Sequence, residues 1–206
     1  MRKSILGVLL VALFFTACTT TSSGPRYINE EKEGTSTPIT MGLDYQDFRK
    51  ASMDAVQSML KSGVLNKPGG GRYVLAISTI INDTTQRIDT DQLIKSIRIA
   101  LLNSGKVVVT TAVRAGGAED NMSYEARELR KSDEFNQRTV AKKGQMIAPD
   151  FSLSGKIIER ISTLANDEKK VDYYFQLSLT DIKTGLAYWE DEIVVSKVGS
   201  SKSVNW

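Results

Sequence analysis

Glu190, Asp191 and Glu192 are the densest group of side chains in this chain that could do acid-base chemistry. Two carboxylates flanking a glycosidic bond would suggest work on glycans. Alternation along a strand puts Glu190 and Glu192 on one face and Asp191 on the other, and a solvated strand edge is the better reading. Other catalytic material is thin. The sequence has no histidine, and Cys18 is its only cysteine. A Ser-His or Cys-His nucleophile pair cannot be assembled, and a transition-metal site would lack its commonest ligand. Gly69-Gly70-Gly71 precedes a strand pattern rather than opening a helix, so it reads as a hinge and not as a phosphate-binding loop. Asn82-Asp83-Thr84 reads as a turn. The expectation is a protein without catalytic residues, metal or cofactor.

Cys18 carries different chemistry. Arg2 and Lys3 precede an apolar run from Ile5 to Phe15, and Phe15-Thr16-Ala17 leads into the cysteine. A charged start, a short apolar run and small residues form an export signal over residues 1–17. The run is too short to cross a bilayer, which needs roughly 20 apolar residues. A cysteine directly after such a signal resembles the lipobox of bacterial lipoproteins, with Phe15 where leucine is usual. The resemblance implies that Cys18 is acylated and becomes the first residue of the mature chain. It also implies the several acyl chains that stable anchoring requires. Thr19 is not the aspartate that retains lipoproteins at the inner membrane in enteric-type sorting. The implied location is therefore the outer membrane, lipid-anchored and facing the periplasm.

The elements behind these groups must fit 206 residues and 22.7 kDa. That leaves room for one domain with a sizeable core. The formal net charge of +3 falls to +1 once Arg2 and Lys3 are cut away, which gives nothing to steer the chain to nucleic acid. With Cys18 acylated, no disulfide can form, so packing alone must hold the fold. Residues 18–42 are rich in Ser, Thr, Gly and charge and lack a hydrophobic period, the composition of a disordered tether. About 24 such residues reach ~80 Å fully drawn out and ~27 Å as a flexible coil. The folded domain is expected over residues 43–206.

The domain opens with a helix capped by Asp44 and stopped at Gly63. Tyr73 to Ile81 is a nearly continuous apolar run, the pattern of a strand buried on both faces. Asp89 with Gln92 fits a capping box, Leu93, Ile97, Ala100 and Leu101 share a helical face, and Val107 to Thr111 returns as a strand. Strand, helix, strand at this spacing implies a parallel crossover. Ser123 to Lys143 reads as a charged helix with Leu129, Phe135 and Val140 inward. Beyond Pro149 the period becomes two: Phe151, Leu153, Gly155 and Ile157, then Val171 to Leu179, then Trp189, Asp191, Ile193 and Val195. The fold class is α/β (α+β): a mixed sheet with a strand-helix-strand crossover, a C-terminal antiparallel meander, and helices packed on the sheet.

These blocks resemble a known family. Tyr73-Val-Leu-Ala-Ile-Ser-Thr-Ile-Ile-Asn-Asp-Thr84, Ala100-Leu-Leu-Asn-Ser-Gly105, Asp150-Phe-Ser-Leu-Ser-Gly-Lys-Ile157 and Asp181-Ile-Lys-Thr-Gly-Leu-Ala-Tyr-Trp189 are similar to the lipoprotein activators of penicillin-binding proteins, the LpoB type. The same core resembles the amino-terminal domain of TolB and the periplasmic region of curli-secretion lipoproteins. The LpoB resemblance implies a regulator that binds a class A penicillin-binding protein, a bifunctional peptidoglycan synthase, and stimulates glycan polymerisation. An accessory lipoprotein of another envelope assembly, such as a secretion or flagellar system, and a degenerate glycan-processing enzyme are the alternatives. The enteric members carry a long Pro-rich tether, whereas this one has only Pro25 and Pro38. Expected partner contacts are Asp83, Thr84 and Arg87 after the first strand and Thr184, Leu186 and Tyr188 in the last hairpin, with both features near one end of the sheet. Loops on a rigid scaffold commonly carry binding.

Overall fold

Asp44 starts the first helix because its carboxylate accepts hydrogen bonds from the amides of Gln46 and Asp47, while Asp47 reaches back to the Asp44 amide. This capping box satisfies donors that a helix start leaves orphaned. The helix, α1 (Tyr45–Lys61), turns Phe48, Ala51, Ser52, Ala55, Val56 and Met59 inward. It ends where Gly63 takes a φ of +76°, a left-handed stop. In this computed structural model, residues 40–114 and 117–200 are described, and they belong to a compact unit that begins at Thr40. Cys18, the expected export signal and the expected tether as far as residue 39 lie outside the described residues.

Strand β1 (Tyr73–Asp83) leads through α2 (Thr90–Asn103) to the short β2 (Val107–Val109). Asp89 caps α2 through the Asp91 amide, and Leu93, Ile97 and Leu101 form its buried stripe. A short helix, α3 (Met122–Glu128), and a single 3-10 turn over Leu129–Lys131 follow, then β3 (Phe151–Thr163), β4 (Glu168–Asp181) and β5 (Ala187–Ser200). The sheet order is β2-β1-β3-β4-β5. β1 lies parallel to β2 and β3, and the remaining pairs are antiparallel. The mixed sheet, the crossover and the meander agree with the sequence.

Helices α1 and α2 cover one face, where Phe48 meets Phe175 edge-on at 6.2 Å between ring centres. Burying each such large side chain contributes roughly 2–3 kcal/mol. The odd residues of β3, β4 and β5 line this face. Several of their even neighbours, Gln176, Glu190, Glu192, Val194 and Ser196, are exposed on the other.

Two expectations need correction. β1 is buried on both faces only over Leu75, Ala76 and Ile77. An extra residue between Ile77 and Ile80 shifts its register against β3, so Ile80 turns inward while Ile81 is exposed. The helix expected over Ser123 to Lys143 stops at Glu128. Beyond the 3-10 turn, local side-chain bonds outcompete helical ones: Ser132 Oγ accepts from the Glu134 amide at 3.3 Å, and Asn136 Oδ1 from the Arg138 amide at 3.0 Å. Phe135, expected inside, is exposed, and Leu129 and Val140 are half-buried.

Candidate functional site

The two loops expected to act together stand at opposite ends of the sheet. Asp83 pairs with Ile158 on β3, whereas the β4–β5 hairpin leaves the sheet beside Phe151, which pairs with Asp181. Seven residues of extended strand separate those positions, about 23 Å. Spacing along the sequence does not specify which end of a strand a loop leaves from. The parallel β1–β3 pairing decides it here.

At the first end the loop is largely self-satisfied. Asp83 is exposed but ion-paired with Lys156 at 2.6 Å, and the bond from that ammonium holds its carboxyl below the usual carboxylate range. Asn82 folds the turn by accepting from the Thr84 amide at 3.1 Å and from the Thr84 hydroxyl at 2.8 Å, which leaves Thr84 half-buried. Arg87 is exposed. The loop is tied inward by Glu159, whose Oε2 accepts from the Thr85 amide and hydroxyl, both at 2.8 Å. Gln86 Oε1 accepts from the Leu43 amide at 3.0 Å, and Gln86 Nε2 donates to the Tyr173 hydroxyl. Tyr173 in turn donates to the Met41 carbonyl at 2.9 Å. This loop therefore clamps residues 41–43, where the chain enters the fold. None of these tying residues was singled out from the sequence. Tyr173 and Glu159 could have been found as hydroxyl and carboxylate at inward positions of their strands.

Burial pushes the Tyr173 phenol up to about 12, against the pull of Gln86 and helped by the Glu159 and Asp47 carboxylates. The folded state then holds a proton that the unfolded chain releases near 10.0. This contribution is complete below that value and is lost as pH rises towards 12. Urea unfolding at about pH 9 and about pH 11 should show a steeper loss for the wild type than for Tyr173→Phe.

At the other end, Asp181 Oδ1 accepts from the Thr184 amide at 2.9 Å, and the Gly185 amide closes on the Asp181 carbonyl at 2.8 Å. Gly185 supplies the positive φ of +72° that this turn requires. The hairpin is thus fixed in shape, with Thr184, Leu186 and Tyr188 exposed and Ile182 exposed beside them. Tyr188 is more than a free tip. Its ring packs on Phe151 at 5.3 Å, Phe151 meets Tyr73 at 4.8 Å, and the Lys67 ammonium lies 4.9 Å from the Tyr73 ring centre. Asp150 closes the cluster by accepting from the Val74 amide at 2.8 Å and from Lys67 at 3.3 Å. Phe151, Tyr73 and Lys67 back the hairpin, and sequence spacing alone did not connect them.

The acidic run behaves as a surface. Glu190 accepts from Ser178 at 2.9 Å and Glu192 from Gln176 at 2.8 Å on the exposed face, while Asp191 faces the other way and accepts from the Glu192 amide. No group of three or more potential metal ligands occurs among the described residues.

The described residues form a mixed sheet with two helices on one face and an ordered loop at each end. A family model described as peptidoglycan-synthase activator LpoB matches residues 47–195, from the first turn of α1 to near the end of β5, and the chain belongs to that family. Members regulate a synthase and are not enzymes themselves. Among solved structures, the chain is similar to the LpoB C-terminal domain from Salmonella enterica, at 13% identity and a TM-score of 0.35 over 65% of this chain and 90% of that one. The NMR structure of E. coli LpoB matches at 14% identity and a TM-score of 0.37, over 96% of this chain and 87% of that one. The lipoprotein GNA1162 from Neisseria meningitidis matches at 13% identity and a TM-score of 0.37, over 65% and 87%. No curated protein matches the sequence.

Proposed function

We propose that this chain is an outer-membrane lipoprotein, acylated at Cys18, whose folded domain binds a class A penicillin-binding protein and raises its rate of glycan polymerisation. Family membership over residues 47–195 carries the reading. Such an activator changes the synthase only to the extent that it binds the active arrangement better than the idle one. Residues 1–17 would be the signal and 18–42 the tether, its last residues, 41 and 42, being held against the domain that continues from 43 and reaches inward from the membrane.

Of the two loops, the hairpin is the better anchor. Leu186 and Tyr188 present large apolar surface on a turn that is already ordered, whereas Asp83 is ion-paired with Lys156 on β3 and Thr84 is bonded to Asn82 within its loop. Aromatic and aliphatic side chains held rigidly lose little entropy on binding and commonly dominate interface energetics. Asp83, Thr84 and Arg87 then serve as a secondary contact.

The test adds the purified protein to the cell's bifunctional synthases and follows lipid II consumption beside binding. Leu186→Ala should weaken binding by about 2 kcal/mol, roughly thirtyfold, with thermal stability unchanged because the side chain touches solvent. Tyr188→Ala should lose binding and a little stability, since its ring also covers Phe151. Absence of association and stimulation with every synthase would turn the reading towards another envelope assembly.

A further inference from the structure

Among the described residues, nothing from Thr110 to Asp150 is buried, an unusually long excursion for so regular a sheet. The excursion is nevertheless built. Arg127 donates to the Lys142 carbonyl at 3.5 Å and Arg130 to the Ala141 carbonyl at 3.3 Å. Gln137 Nε2 reaches the Leu129 carbonyl at 3.2 Å and the Ser132 carbonyl at 2.5 Å. These bonds fold its second half back on α3 and the turn that follows it.

That second half has an uneven composition. Residues 135–149 contain Arg138, Lys142 and Lys143 and no aspartate or glutamate, in a chain whose charges otherwise nearly balance. All three cations are exposed, and none is ion-paired among the described residues. Phe135 and Ile147 bracket them, with Ile147 74% exposed and Met146 exposed beside it. Three unpaired cations in a segment with large exposed apolar side chains at both ends supply the two attractions, charge and insertable apolar surface, that hold a polypeptide at an anionic membrane interface. A fluid surface closes around single projecting side chains, whereas a protein partner would have to match their shape.

We propose that residues 135–147 dock the domain on an anionic phospholipid surface, with Arg138, Lys142 and Lys143 at the headgroups and Phe135 and Ile147 entering the interface. The proposal goes beyond the activator reading and does not depend on it. Where Cys18 is acylated as proposed, weak affinity would suffice, because tethering makes the contact intramolecular.

The experiment uses the chain from residue 18 onward with Cys18→Ala, so that no acyl chain contributes and the outcome is separate from anchoring. It is sedimented with vesicles of roughly three parts phosphatidylethanolamine to one part phosphatidylglycerol, and with phosphatidylcholine vesicles. Binding to the anionic vesicles should exceed binding to the neutral ones at least about tenfold and collapse between about 0.1 M and about 0.5 M salt. Arg138→Glu/Lys142→Glu/Lys143→Glu and Phe135→Ser/Ile147→Ser should each lower it about tenfold with the melting temperature unchanged, since these side chains are exposed. Should a combined variant melt early, Lys142→Glu and Ile147→Ser singly replace it. Failure of the unsubstituted chain to bind, variants that bind as it does, or retention by isolated peptidoglycan in place of vesicles would each overturn the proposal.

Discussion

Replacing Lys197 with methionine should destabilise the fold by about 3 kcal/mol, because it strips the counter-ion from the buried Asp47 carboxylate and from Asp44, which is half-buried beside it. The Lys197 ammonium, its side chain only 6% exposed, lies 2.5 Å from Asp47 Oδ2 and 3.2 Å from Asp44 Oδ2. It also donates to the Gly42 carbonyl at 2.7 Å. One side chain thus fastens β5 to the capping box of α1 and to the point where the chain enters the domain. Burial already pushes the Asp47 carboxyl up, and the bond from Lys197 is the strongest pull in the other direction. Without the lysine, Asp47 should rise further. A raised carboxyl favours the fold while protonated and loses that contribution as pH climbs through its folded value. The Lys197→Met penalty, measured by urea unfolding, should therefore be largest near neutrality and shrink on acidification towards about pH 4. Adding Asp47→Leu should recover part of the loss, since it removes the buried uncompensated charge while opening the capping box at the Asp44 amide. A loss that is equal at all pH values would mean that Lys197 acts only by packing its methylenes.

Lys197 shows where the sequence could be read further. The inward row of β5 runs Trp189, Asp191, Ile193, Val195, and the same parity continues to Lys197, a charge on an apolar face facing the acidic start of α1. Period-two alternation made β3, β4 and β5 legible, and cap residues did the same for α1 and α2. Alternation fails at β1 because one inserted residue reverses which side faces in, and an apolar run hides such a break. Ser123 to Lys143 failed for the opposite reason. Its weak period gave no burial signal, and Ser132 and Asn136 took the backbone out of the helix. The two loops proposed as contacts were visible as turn chemistry, but their placement at opposite ends follows from strand direction, which local sequence does not encode. The lipidation reading at Cys18 rests on composition and order alone and is independent of the fold.

Gly155→Ala should cost about 3 kcal/mol or more, although it adds a single methyl group at a half-buried position. The obstacle is space, not backbone freedom, for Gly155 has an ordinary strand conformation. A Cβ there would lie 2.5 Å from the Gln176 carbonyl oxygen and 2.6 Å from Leu177 Cδ2. Gly155 pairs with Leu177 on one side and with Ile80 on the other, immediately beyond the inserted residue of β1. The missing side chain lets β4 close on β3 where the register shifts, and Leu177 fills the space above it. By contrast, Gly185→Ala meets no atom within 4 Å and should lose only the roughly 1–2 kcal/mol of a left-handed backbone at φ +72°. Chemical unfolding of both variants separates crowding from conformational cost. The double variant Gly155→Ala/Leu177→Ala identifies the crowding atom. If the carbonyl is the obstacle, the two substitutions should add within about 0.5 kcal/mol. If Leu177 is the obstacle, truncating it should relieve most of the Gly155→Ala penalty, and β3 and β4 could then tolerate a side chain between them.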